Sequence, residues 1–212
     1  MKRLLISTVA LVSFAMLAQC ASISITATWK DSAYTAGPFK KTVVMALFNN
    51  LETRQAVEAG MVAELKRHGN DAAPSLDFMA PNQKYAHAQI EKLLEKNGID
   101  GILIIKLMGI SKKQKYHPGS NYFQPNFYYD MYNEYYVMYS MRRDPGYIDE
   151  KDYVKIRASL FANSTDRMVW RAEMTAVEDY QTKDGLTNPK TEAPVLAKLV
   201  HANLVANGLA KR

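Results

Sequence analysis

The sequence predicts a single α/β domain, β-α-β-α-β followed by an antiparallel extension and a C-terminal helix, with helices packed on a mixed sheet. Two observations carry this. Residues 42–107 alternate apolar runs with helical periodicity, the mark of a parallel sheet with right-handed crossovers. Residues 153–177 hold two stretches of in–out alternation around a polar turn, as in a sheet with one wet face.

The elements follow in chain order. Ser22 to Trp29 alternates, with Ile23, Ile25, Ala27 and Trp29 on one side, and reads as an edge strand. Thr42 to Phe48 is a continuous apolar run, as for a strand covered on both faces. Asn50 caps a helix over 51–68, whose Val57, Met61, Val62 and Leu65 share one face. Arg67 and His68 suit its negative end, and Gly69 stops it. A weaker strand is expected at 72–78. A second helix starts at Pro81-Asn82, with Ala86, Ile90, Leu93 and Leu94 in register, and stops at Asn97-Gly98. Gly101 to Leu107 is the strongest strand signal. Further strands are expected at 135–141, 153–162 and 167–177, the last two joined by the turn Asn163-Ser164-Thr165-Asp166. After a polar loop at 179–190, Thr191 caps a final helix with Pro194 in its first turn. Val195, Leu199, Ala202, Val205 and Leu209 line the face expected to dock on the sheet.

Composition narrows the class. The chain has 212 residues, 27 Lys and Arg against 21 Asp and Glu, and 48% hydrophobic residues, which excludes a disordered chain. Its one Cys excludes an intramolecular disulfide.

Met1-Lys2-Arg3 precedes an uncharged stretch from Leu4 to Ala18, too short to span a bilayer, which needs about 20 apolar residues. A basic start and a short apolar run read as a signal peptide, residues 1–19. Cys20 follows in Leu17-Ala18-Gln19-Cys20, which resembles a bacterial lipobox, with Gln19 where Gly, Ala or Ser is usual. The resemblance implies lipid attachment at Cys20. The alternative is ordinary cleavage after Ser22 with Cys20 discarded. Cutting before Cys20 leaves 212 − 19 = 193 residues with net charge 25 − 21 = +4. Residues 20–41 then form an acylated lead segment and 42–212 the domain, with a Tyr-rich insertion at about 116–147. A single acyl chain anchors only marginally, whereas the three of bacterial lipoproteins hold firmly. Ala21 stands where lipoproteins of the inner membrane often carry Asp, which by the same resemblance implies the outer membrane, periplasmic face.

Catalytic patterns are missing from the sequence. The turn Leu47-Phe48-Asn49-Asn50-Leu51 lacks the glycines a phosphate needs, and neither nucleotide-binding Gly motif occurs. His68, His87, His117 and His201 have no His or Cys neighbour at metal-ligand spacing, so no metal and no cofactor are expected. No G-x-S-x-G elbow is present. Asp144, Asp149, Glu150 and Asp152 cluster as a paired-carboxylate hydrolase would require. A solvated loop balancing Arg142, Arg143 and Lys151 is the simpler reading. Lys112-Lys113-Gln114-Lys115-Tyr116 suits a charged edge strand, or contact with anionic lipid headgroups; nucleic acid is not an expected partner of an exported chain.

Tyrosine is the unusual feature: ten of the 13 lie between Tyr116 and Tyr153. Residues 117–134 are loop-like by their Pro, Gly and Asn. Loop aromatics give large contact area at low entropy cost. Tyr122, Phe123, Phe127, Tyr128, Tyr129 and Tyr132 are therefore the candidate partner surface. Packing of these rings over the domain's own sheet edge, or stacking on a glycan, are the other readings.

The lipobox, the lead with Trp29-Lys30-Asp31, the β-α-β-α-β run ending in Gly98-Ile99-Asp100-Gly101-Ile102-Leu103-Ile104-Ile105, the hairpin closing on Met168-Val169-Trp170 and the last helix together resemble a group of uncharacterised Gram-negative lipoproteins. Their fold is similar to the amino-terminal domain of TolB and to the curli-secretion-channel and penicillin-binding-protein-activator lipoproteins. The resemblance spans most of residues 17–210. It implies a non-enzymatic envelope assembly or accessory factor that binds a protein partner. The alternative is a cell-wall ligand-binding protein or hydrolase using the acidic 144–152 loop.

Overall fold

A computed structural model of the protein describes residues 22–81, 83–123, 141–178 and 186–212. It shows one mixed α/β domain, a six-stranded sheet with helices packed against it. The sheet strands are β1 (Ser22–Lys30), β2 (Lys41–Leu47), β3 (Asp71–Pro74), β4 (Gly101–His117), β7 (Tyr147–Ala162) and β8 (Arg167–Glu178), in the order β1-β8-β7-β4-β2-β3. Short strands β5 (Asn121–Phe123) and β6 (Met141–Arg143) form a separate ladder. The helices are α1 (Leu51–Arg67), α2 (His87–Lys96) and α3 (Pro189–Ala206). One compact unit runs to Ser111 and resumes at Asp152; Lys112–Lys151 form another.

The parallel half is built as the apolar runs dictate. β2 pairs in parallel with β3 (Lys41↔Asp71) and with β4 (Thr42↔Gly101 to Leu47↔Lys106). Alternation along β2 sends Val44 and Ala46 into the main core with Val57, Met61 and Leu65 of α1. It sends Val43 into a second cluster with Leu94 of α2, Ile99 and Ile102. The two helices therefore cover opposite faces.

The antiparallel half is equally regular. β8 pairs with β1 (Ile25↔Met174, Trp29↔Arg171) and with β7 (Ile156↔Met174, Leu160↔Trp170). Ile156, Ala158, Leu160, Trp170, Ala172 and Met174 are buried under α3 and α1. The Trp170 indole N–H donates to Asn203 Oδ1 on α3 at 3.0 Å, satisfying a buried donor and fixing the helix on the sheet. The hairpin turn falls at 163–166 as expected, with Asp166 at φ 52°.

Helix ends follow local chemistry. Asn50 Oδ1 accepts from the Glu52 and Thr53 amides at 2.7 and 3.3 Å. At the other end of α1, Gly69 takes φ 70°, and the amides of Gly69 and Asn70 return to Lys66 O and Leu65 O. This is a Schellman closure, which the left-handed glycine permits.

Several expectations are corrected. The strand at 72–78 ends at Pro74 and gives way to a 3₁₀ turn, Ser75–Asp77. There the Ser75 hydroxyl and the Leu76 amide turn onto the Glu58 carboxylate. The second helix starts at His87, where Gln89 Oε1 accepts from the Ala86 amide at 2.8 Å; Asn82 lies outside the described residues. The last helix starts at Pro189, which puts Thr191 inside it and Pro194 in its second turn. Its buried face is Ala193, Leu196, Ala197, Val200 and Leu204, while Leu199 and Val205 are half-buried and Ala202 is exposed. Both stripes are apolar, and docking under Trp170 and against α1 selects between them. Of the strand expected at 135–141, only Met141 is described; most of the polar loop at 179–190 also lies outside the described residues.

Candidate functional site

The Tyr-rich segment leaves and re-enters a defined frame. Asn121↔Arg143, Tyr122↔Arg142 and Phe123↔Met141 are antiparallel partners, so β5 and β6 bring the two ends of segment 124–140 side by side. Below this ladder two backbones approach closely. A Cβ on Gly119 would collide with Asp144 O, and one on Gly146 would sit 2.6 Å from His117 O. The Asp144 amide donates to Ser120 O at 2.8 Å. Glycine is needed at both positions because the chains touch where a side chain would stand. The His117 ring stacks on Tyr147 with centroids 4.7 Å apart. Tyr116, Tyr147 and Ile148 are 65%, 63% and 62% exposed, an apolar group beside the ladder that its own unit leaves to solvent.

The structure places Tyr122 and Phe123 on β5. Phe127, Tyr128, Tyr129 and Tyr132 lie outside the described residues, as do Cys20 and the signal peptide.

The acidic residues do not occupy one loop. Asp149, Glu150 and Asp152 all lie on β7, because that strand begins at Tyr147. Consecutive strand residues point to opposite faces, so Asp149 and Glu150 diverge. Glu150 accepts from Lys112 Nζ at 3.0 Å and Gln114 Nε2 at 3.1 Å. These bonds, the Gln114 amide first and then the Lys112 cation, hold its carboxyl below the ordinary range. The basic run lies on β4, with Lys112 engaged in this pair.

At the turn Leu47–Leu51, the Asn50 side chain occupies the first amides of α1, where a phosphate would need free donors. Beneath it the fully buried Glu58 accepts from the Ala46 and Leu76 amides, the Ser75 hydroxyl and Arg54 Nε at 2.8–3.1 Å. This joins β2, α1 and the turn after β3. The polar face of the antiparallel strands holds a cleft of about 540 Å³ lined by Thr26, Met108, Thr175 and the Arg157–Glu173 pair at 2.9 Å.

Two histidines far apart in sequence meet in space: His68 at the end of α1 stacks on His201 of α3, ring centroids 4.2 Å apart. Spacing along the chain cannot reveal a pair delivered by two different helices. The i, i+4 relation of Glu64 and His68 was the available signal. His87 lies beside Glu91 at 3.5 Å on the surface.

These features define a mixed α/β domain carrying an aromatic-rich insertion on a two-stranded ladder. No protein-family model and no curated protein matches the chain. Among solved structures, it is similar to a PelC dodecamer subunit from Paraburkholderia phytofirmans (13% identity, TM-score 0.42, 91% of this chain and 99% of that one). It is also similar to lipoprotein GNA1162 from Neisseria meningitidis (16%, 0.40, 79% and 98%). A PDZ domain protein from Parabacteroides distasonis is similar at 13% identity and TM-score 0.38, over 94% of this chain and 40% of that one. Among the described residues no helix is long and apolar enough to cross a membrane.

Proposed function

We propose that the protein is a non-enzymatic lipoprotein that binds a protein partner of the cell envelope through residues 116–147. In this reading Cys20 carries the lipid, with palmitate-type acyl chains, and holds the domain at the periplasmic face of the outer membrane. The distant kinship with TolB-like and curli-channel-like envelope lipoproteins belongs to the same proposal.

The β5–β6 ladder is the observation that supports it most. It holds both ends of an aromatic-rich segment together beside exposed Tyr116, Tyr147 and Ile148. A segment whose ends are pre-set loses less entropy on binding than a free chain, and aromatic side chains are the usual anchors of interfaces. The Lys112–Glu150–Gln114 contacts support charge balance rather than a hydrolytic carboxylate pair.

The test is crosslinking in intact cells from a photoreactive residue at position 128, combined with fractionation of Cys20→Ser. The reading requires a discrete protein adduct from position 128. It also requires release of the Cys20→Ser protein from the membrane fraction with the fold retained. Adducts to glycan alone would favour the cell-wall alternative. A wild-type chain without lipid by mass spectrometry would remove the anchor.

A further inference from the structure

We propose that Glu64, His68 and His201 form a binding site for a first-row divalent cation of the zinc class, at the junction of α1, α3 and the C-terminal tail. One ligand atom from each of the three lies within 4.8 Å of the others. Glu64 and His68 stand four residues apart, so the helix stacks them on one face. His201 arrives from α3, which packs on that face. Glu64 and His201 are buried at 8% and 5% exposure, and His68 is half-buried. Two ligands thus sit in the interior and the third at its rim, which leaves a side open for a water or a fourth ligand.

Hydrogen bonding prepares His201 for this role. Its Nε2 lies 3.0 Å from Lys211 O. A carbonyl only accepts, so Nε2 carries the proton and the lone pair is on Nδ1. A ring nitrogen donating to a backbone carbonyl is the usual outer-shell support of a metal-binding histidine. Lys211 is itself held, since its amide donates to Asn70 Oδ1 at 2.8 Å.

The donor set selects the ion. Two imidazoles and one carboxylate suit zinc, cobalt or nickel, whereas calcium and magnesium need mostly oxygen ligands. Two features oppose binding: the His68 and His201 rings are stacked with planes 28° apart, so one ring must turn for both lone pairs to meet an ion, and Arg67 Nη2 lies 2.6 Å from Glu64 Oε1. The Arg67 contact and the 3.5 Å approach of His68 Nε2 both use the same carboxylate oxygen. The Arg67 side chain is 59% exposed and can withdraw into water.

The test uses the full chain in detergent, purified without a histidine tag and treated with chelator. Zinc chloride should raise the melting midpoint with one-to-one stoichiometry, and cobalt(II) should give visible absorption bands of a nitrogen–oxygen site. His68→Asn should weaken zinc binding at least tenfold while leaving the metal-free melt near wild type, because Asn is accepted at a helix end. Glu64→Gln should do the same, and Arg67→Ala should tighten binding severalfold by removing the competing cation. No midpoint shift at saturating zinc, or a shift undiminished in His68→Asn, would overturn the proposal.

Discussion

Phe123 on β5 and Met141 on β6 are cross-strand partners, so the chain leaves the short ladder and returns to it at facing positions. The segment between them therefore has fixed ends, set by glycine contacts below. Gly119→Ala would push a methyl group into Asp144 O. The ladder should open, with faster deuterium uptake at the Asp144 amide, which donates to Ser120 O, while the melting midpoint of the sheet domain barely moves. Unchanged uptake would show that the contact is not what holds the ladder.

Glu58 is a buried charge with several donors, and its removal should be costly. Glu58→Ala strands the Ala46 and Leu76 amides and the Arg54 guanidinium. Breaking a buried, paired carboxylate in this way costs about 3–5 kcal/mol. Glu58→Gln should cost less, since one oxygen remains. Urea denaturation of the two variants would measure the difference.

The docked face of α3 can be read by paired substitutions. Leu196 is fully buried, whereas Leu199 is half-buried. Leu196→Ala should destabilise by about 2–5 kcal/mol, the range for a buried leucine, and Leu199→Ala by clearly less. Equal losses would mean that both stripes are packed alike.

The same helix shows what the sequence could and could not reveal. β2 and the start of β4 were legible because strands covered on both faces must be apolar throughout. α1 was legible from Asn50, Gly69 and one apolar stripe. On α3 the Val195–Leu199–Ala202 stripe and the Ala193–Leu196–Val200 stripe are both apolar, so only the tertiary partner Trp170 decides. The start of β7 was missed because Asp149 to Asp152 are charged, and a wet stretch of strand carries no apolar alternation. The burial of Glu58 has no signal along the chain, and the His68–His201 contact joins helices that the sequence does not relate. The frame of the Tyr-rich segment shows only as pairing between short strands, too short for a periodic signal.

Glu150 supplies the pH dependence. Its carboxyl is held below the ordinary glutamate range, first by the Gln114 amide and then by Lys112. A depressed carboxyl pKa contributes stability that is present above the unfolded value and lost as pH falls through the folded one. Carbon-detected NMR should give a Glu150 midpoint below the ordinary value, moving upward in Gln114→Ala and in Lys112→Ala. A midpoint unmoved in both variants would show that these contacts do not persist in solution.

The central claim is that the Tyr-rich segment serves recognition and not the core. Exposed positions typically change stability by no more than about 0.5 kcal/mol, whereas an aromatic interface anchor can cost 2 kcal/mol or more of binding. The most direct measurement replaces Tyr122, Phe127 and Tyr128 with Ser and follows the melting midpoint together with the adduct formed in cells from a photoreactive residue at position 132. A nearly unchanged midpoint with loss of the adduct is the expected result. A large fall in the midpoint with the adduct intact would assign these rings to the fold and contradict the account.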